Sequence, residues 1–121
     1  MITVAGEALI DLIVDASGQV RPSPGGGPFN TARAIARLGQ PVTFLGGISS
    51  DRFGRELAGK LDADGVRVPG DAGVAEPTTL ALLDIDQAGV ARYRFYLSGT
   101  AAAMLSGAVL PAGGVPAAGG V

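Results

Sequence analysis

Up to residue 65 the apolar residues of this chain keep changing period, and that alternation limits the fold more than any other feature. "ITVA" at 2–5 is a short β-branched run closed by Gly6, and "DLIV" at 11–14 is another, so strands are predicted at both. "DASGQ" is a turn signal, after which "QVR" at 19–21 can pair back as a short strand. A helical pattern then covers 28–38. Pro28 suits a first turn, where its missing N–H would have had no partner. Phe29, Ala32, Ile35, Ala36 and Leu38 approximate one apolar stripe, and Arg33 and Arg37 fall on another face. Gly39 stands where a left-handed residue ends a helix. "PVTFLGGI" reads as a strand apolar enough to be buried on both faces. Asp51 caps a second helix, in which Phe53, Leu57 and Leu61 recur every fourth residue before Gly65 closes it. Strand, helix, strand, helix is the order of an α/β domain on a mostly parallel sheet.

Beyond that point the pattern changes. "TTLALLDIDQAGVARYRFYL" is two strands around the turn signal "DQAG" and predicts a β-hairpin. A parallel core with a hairpin added implies a second, smaller sheet, to which the strand at Asp11 and "QVR" are candidates to belong. From Ser106 the chain reads "SGAVLPAGGVPAAGGV", without charge or sustained period, and residues 106–121 are expected to be poorly ordered. The 121 residues, 47% of them apolar, are enough for one domain with a core. A net charge of −2 with scattered basic residues shows no footprint for nucleic acid. The absence of cysteine and histidine removes thiolate chemistry, the commonest general base and the commonest zinc ligand. Glu7 and Asp11 interrupt the first apolar stretch, which has no basic start, so it is read as neither a signal peptide nor a membrane span and the protein as cytoplasmic.

The glycines of "SPGGGPFN" carry the functional question. Without a Cβ, Gly26 and Gly27 let backbone N–H groups approach a polar ligand, and the helix that Pro28 starts points further N–H groups the same way. Asn30 offers a donor and an acceptor, whereas the Asp11 carboxylate accepts only. Together they describe a pocket for a polyhydroxylated molecule. Each also has a plain structural reading: a glycine loop, local capping by an Asn in a first turn, a solvated Asp after a strand. Nucleotide motifs do not fit. A P-loop needs Gly-Lys-Ser/Thr where Pro-Phe-Asn stands, and a dinucleotide fingerprint needs three spaced glycines after the first strand, where only Gly6 stands.

"GGGPFNTARAIARLG", "FLGGISSDRFGRELAGKL" and "TTLALLDIDQAGVARYRFYLSGTAAAML" together resemble the N-terminal part of ribokinase-like sugar kinases, the PfkB carbohydrate kinase family, and "GEALIDLI" has the form typical of its fructokinase-like branch. The resemblance covers about residues 2–105 and rests on a G-G-x-P-x-N-x-A element, a following L-G and a D-x-F-G. It implies the N-terminal portion of a doubly wound, Rossmann-like α/β core with a small β-sheet lid, residues 1–105 forming that part of the kinase domain and strands at about 11–21 and 78–97 forming the lid. It implies that Asp11 binds sugar hydroxyls, that Gly26 and Gly27 lie against the sugar, that Asn30 hydrogen-bonds it, and that Thr79, Phe95 and Tyr96 belong to the lid. The implied reaction is ATP-dependent phosphorylation of a sugar hydroxyl, with Mg2+ and a stimulating K+, fructose as the first substrate to test, and a homodimer joined through the lid.

Departures qualify this. Gly27 stands where ribokinases proper carry Lys, Ser49 where the family commonly has glycine before D-x-F-G, and Leu97 where some ketogluconate and fructose kinases place an Arg. The family signature D-T-x-G-A-G-D, whose last Asp is the base and whose glycines form the anion hole for the γ-phosphate, has no counterpart in the sequence. No catalytic or metal-binding residue is therefore assigned, and the ATP, Mg2+ and K+ sites are expected outside this chain. The favoured reading is a truncated kinase, inactive alone, that carries the sugar half and lid. The others are a non-catalytic sugar-binding or dimerisation module and the remnant of a truncated gene.

Overall fold

The computed structural model describes residues 1–70 and 73–104. In chain order it runs β1 (Ile2–Ala5), β2 (Leu9–Val14), β3 (Val20–Gly25), α1 (Gly27–Arg37), β4 (Val42–Leu45), α2 (Arg52–Ala63), β5 (Leu80–Ile85), β6 (Ala91–Tyr96) and a 3-10 turn at Ala101–Met104. The tail at 106–121 lies outside the described residues.

Two sheets form. β1 and β4 pair in parallel, Ile2 opposite Val42 through Ala5 opposite Leu45, and all four residues of β4 are buried, as expected of a strand covered on both faces. α1 is the crossover between them, as a parallel pair requires. The core joins Phe29 and Ala32 of α1, Leu57 and Leu61 of α2, Val42 and Phe44 of β4, and Ile10 of β2. Each large apolar side chain buried there contributes roughly 1.5–3 kcal/mol. Asp51 caps α2 as expected, accepting the Gly54 N–H at 2.8 Å. Gly39 and Gly65 stand after the two helices at φ +86° and +81°. Asp64 joins the helices by accepting from Arg33 Nε at 2.6 Å and Arg37 Nε at 3.1 Å, and Arg33 also lies over the Phe29 ring. The Arg33 hydrogen bond above all holds the Asp64 carboxyl below its usual range.

The second sheet has the order β3-β2-β5-β6, with β2 and β5 parallel and the outer pairs antiparallel. Its two turns use one device. Asp15 Oδ1 accepts from the backbone of Ser17 and Gln19, and Asp86 Oδ1 from that of Ala88 and Val90.

Two expectations need correction. The strand predicted at 19–21 continues to Gly25 through Pro22 and Pro24. Proline lacks an N–H, yet β3 is an edge strand, where alternate N–H groups have no ladder partner to lose. Leu38, assigned to the apolar stripe, is 81% exposed. Nine residues at about 100° each bring it to the side of the helix opposite Phe29.

Candidate functional site

β2 and β3 place the Asp11 carboxylate at the mouth of α1. Asp11 is opposite Ser23 and Leu9 is opposite Gly25, so the Asp11 side chain lies diagonally across the strands towards Gly25. There it fills the space that a Cβ on Gly25 would occupy: the built Cβ falls against Oδ2 and 3.3 Å from Cγ. Gly25 is thus the slot that admits the carboxylate. The glycine run contains this residue, but its role depends on a strand pairing two residues out of line with Asp11, which the sequence does not display.

The next two glycines differ from it and from each other. Gly26 is the N-cap of α1 at φ +103°, and a Cβ there would stand 2.6 Å from the Glu7 carbonyl oxygen. Glycine is needed there for conformation and for space. Gly27 is exposed, with no atom within 4 Å of its Cβ position, so its surface is open to a ligand. Asn30 follows on the exposed first turn, its N–H donating to the Gly26 carbonyl at 3.0 Å and helping to fix that turn. The N–H groups at the start of α1 favour electron-rich atoms.

Asp11 is half-buried, and burial pushes its carboxyl pKa up. Among the described residues no side chain or backbone N–H donates to it. A carboxylate removed from part of its water without donors in exchange costs free energy. Hydroxyl groups of a ligand lying between Asp11 and α1 would supply those donors.

Across the sheet, register places Ser23, Asp11, Ala81 and Phe95 in one row. Phe95 is 56% exposed on edge strand β6 and stacks on Tyr93 at 6.0 Å between centroids. Tyr96, its neighbour on β6, points to the opposite face and is also exposed. Thr79 is placed elsewhere. Fully buried, it shares a 2.6 Å hydrogen bond with the Thr100 hydroxyl and accepts from the Ala102 N–H, so it belongs to the root of the sheet rather than to its open face. A separate cleft of about 520 Å³, between α2 and the segments following β4 and α2, is lined by Ile48, Ala58, Val66, Val68 and others; none of the residues assigned to the site lines it.

Residues 1–110 match the model of the pfkB family carbohydrate kinase. A fructokinase of Rhizobium leguminosarum bv. trifolii is 40% identical over 116 residues, covering 92% of this chain and 35% of that protein. Among solved structures, the fructokinase from Xylella fastidiosa with bound ATP superposes with a TM-score of 0.75 at 32% identity, over 85% of this chain and 34% of its own. The fructokinase from Vibrio cholerae O395 in its fructose, ADP and calcium ion bound form does so with a TM-score of 0.73 at 28% identity, over 91% of this chain and 36% of its own. The chain spans about a third of the length of the curated relatives it matches. Its architecture is ribokinase-like.

Proposed function

The chain belongs to the pfkB family of carbohydrate kinases, and from that premise we propose that it carries the sugar-holding face of an ATP-dependent kinase acting on fructose or a closely related sugar. The observation that carries this is the half-buried, donor-free Asp11 carboxylate seated in the Gly25 slot beside the first turn of α1. Sugar hydroxyls donate to Asp11, Asn30 both donates and accepts, and Gly26 with Gly27 lets the ring lie against the backbone. The four-stranded sheet is the lid, with Phe95 and Tyr96 on its outer strand and Thr79 at its root. Closing it excludes water, which would otherwise accept the phosphoryl group in place of the sugar.

In the reaction the sugar oxygen forms a new bond to the γ-phosphorus while the bond to the bridging oxygen breaks and ADP leaves. The hydroxyl proton passes to a base. In this family that base is the last Asp of D-T-x-G-A-G-D, a string the sequence does not contain. Mg2+ and K+ belong to the same proposal. Among the described residues no group of three or more His, Cys, Asp or Glu could hold a metal ion. We therefore assign to this chain sugar binding without turnover, in the cytoplasm, with the exposed aromatic strand β6 offering a surface for a homodimer. No helix among the described residues is long and apolar enough to cross a membrane.

Calorimetric titration with fructose tests the assignment. The chain should bind fructose, and Asp11→Ala and Asn30→Ala should each weaken that binding at least about tenfold without unfolding the protein. Unchanged affinity in Asp11→Ala would remove the basis of the proposal.

A further inference from the structure

The four-stranded sheet is made of two hairpins whose internal registers are set locally, by the Asp15 and Asp86 turns. The pairing that joins the hairpins has no such turn. β2 and β5 are parallel and are separated along the chain by β3, α1, β4 and α2. A tertiary contact has to fix how they align, because a slip of one residue would turn Ala81 and its neighbours to the other face.

Asp51 supplies that contact. As an N-cap it needs one oxygen, and Oδ1 takes the Gly54 N–H at 2.8 Å. The same oxygen also accepts the Thr78 hydroxyl at 2.5 Å, and Oδ2 accepts the Thr78 N–H at 2.8 Å. These are charge-assisted bonds to a residue 27 positions away, itself buried. From Thr78 the contacts spread at once into the sheet. The Pro77 carbonyl accepts from the Ala101 N–H and the Thr79 carbonyl from the Ile10 N–H, while the Thr79 hydroxyl meets Thr100. The start of β2, the start of β5 and the segment returning from β6 thus converge on the residues that Asp51 holds. Thr78 stands three residues before Ala81, the partner of Asp11 on one side and of Phe95 on the other.

We propose that Asp51 is a positioning residue: through Thr78 it fixes the register of β5 on β2, and so the row that brings Asp11, Ala81 and Phe95 side by side. The proposal concerns where the sheet sits and stands apart from which ligand the sheet covers.

Site-resolved amide hydrogen exchange on the free chain is the test. Thr78→Val keeps the side chain's shape and the α2 cap but removes the hydroxyl that donates to Asp51. Amides of the β2–β5 ladder and of Ile10 should then exchange at least about tenfold faster, with α2 and the β1–β4 ladder unchanged. Thr78→Ser should restore protection. Should Thr78→Val not fold, Asp51→Ser carries the test, since serine still caps α2 but is too short to serve Thr78 as well. Unchanged β2–β5 protection in the variant tested, or faster exchange spread equally over β1, β4 and α2, would overturn the proposal.

Discussion

Burial of the Asp11 carboxylate works against the stability of the fold. Burial raises its pKa, so the folded state disfavours the charge that a sugar would use. For a carboxyl raised above its unfolded value the sign is the reverse of the usual acid case: the charged form weakens the fold at neutral pH, and the effect disappears as pH falls through the raised pKa to below the ordinary 3.8. Asp11→Asn should therefore melt at a higher temperature than the parent at pH 7, and the gap should close in acid. The same variant should bind fructose about 10–100-fold more weakly, since a hydrogen bond to a charged group contributes about 1.5–3 kcal/mol. Thermal melts beside calorimetric titrations separate the two effects. The three glycines give a second comparison. Gly26→Ala meets both a positive φ and the Glu7 carbonyl, and should lose about 1–3 kcal/mol of stability in denaturant titrations. Gly25→Ala should displace the Asp11 carboxylate and weaken binding more than it weakens the fold. Gly27→Ala meets no neighbouring atom within 4 Å and should keep or raise stability, by up to about 1 kcal/mol, so any loss of sugar affinity would report direct contact.

Among the elements, α1, β4, α2 and the β5–β6 hairpin are read correctly from sequence because period, cap and turn agree in each. Pro28 and Gly39 bracket α1, Asp51 and Gly65 bracket α2, and "DQAG" fixes the hairpin turn. What escapes is whatever depends on a distant partner. Pro22 and Pro24 argue against a strand until β3 is known to be at an edge, and Leu38 belongs to an apolar stripe only until the helix turns it outward. The site divides in the same way. Asp11, Gly26, Gly27 and Asn30 stand out by residue type, whereas the Gly25 slot and the burial of Thr79 arise from cross-strand register. Asp51 is visible as a cap, but its second partner, Thr78, is not. Burial acts to raise the Asp51 pKa, yet hydrogen bonds from Thr78, Gly54 and Ser49 outweigh it and leave the carboxyl below 3.8. Because the folded pKa is depressed, the stabilisation is present above the unfolded value and is lost as pH falls through the folded one. Acid titration followed by amide exchange should release the β2–β5 ladder and the first turn of α2 together, at a pH below the ordinary carboxylate range. Asp51→Asn should remove that step.

For the molecule as a whole, the proposed function asks the parts on hand to hold a sugar and not to transfer a phosphoryl group. Transfer requires a base at the attacking hydroxyl, donors around the γ-phosphate and positive charge to offset what develops there. The residues at the mouth of α1 supply an acceptor-only carboxylate, an amide and open glycine backbone, groups able to hydrogen-bond hydroxyls. In the proposed function Asp11 accepts hydrogen bonds from the sugar and does not act as the base. The cleft beside α2, lined by Arg55 and Asp62 as well as by Ile48, Ala58, Val66 and Val68, lies apart from the residues of the candidate site. Incubating the chain with ATP, Mg2+ and fructose should consequently give no fructose-dependent ADP, under conditions in which calorimetry shows the sugar bound. The control is Asp11→Ala, which should lose binding and leave the ADP background where it was. ADP formation that depends on fructose and vanishes in Asp11→Ala would make Asp11 the base, and this chain a kinase by a route that its relatives' signature does not describe.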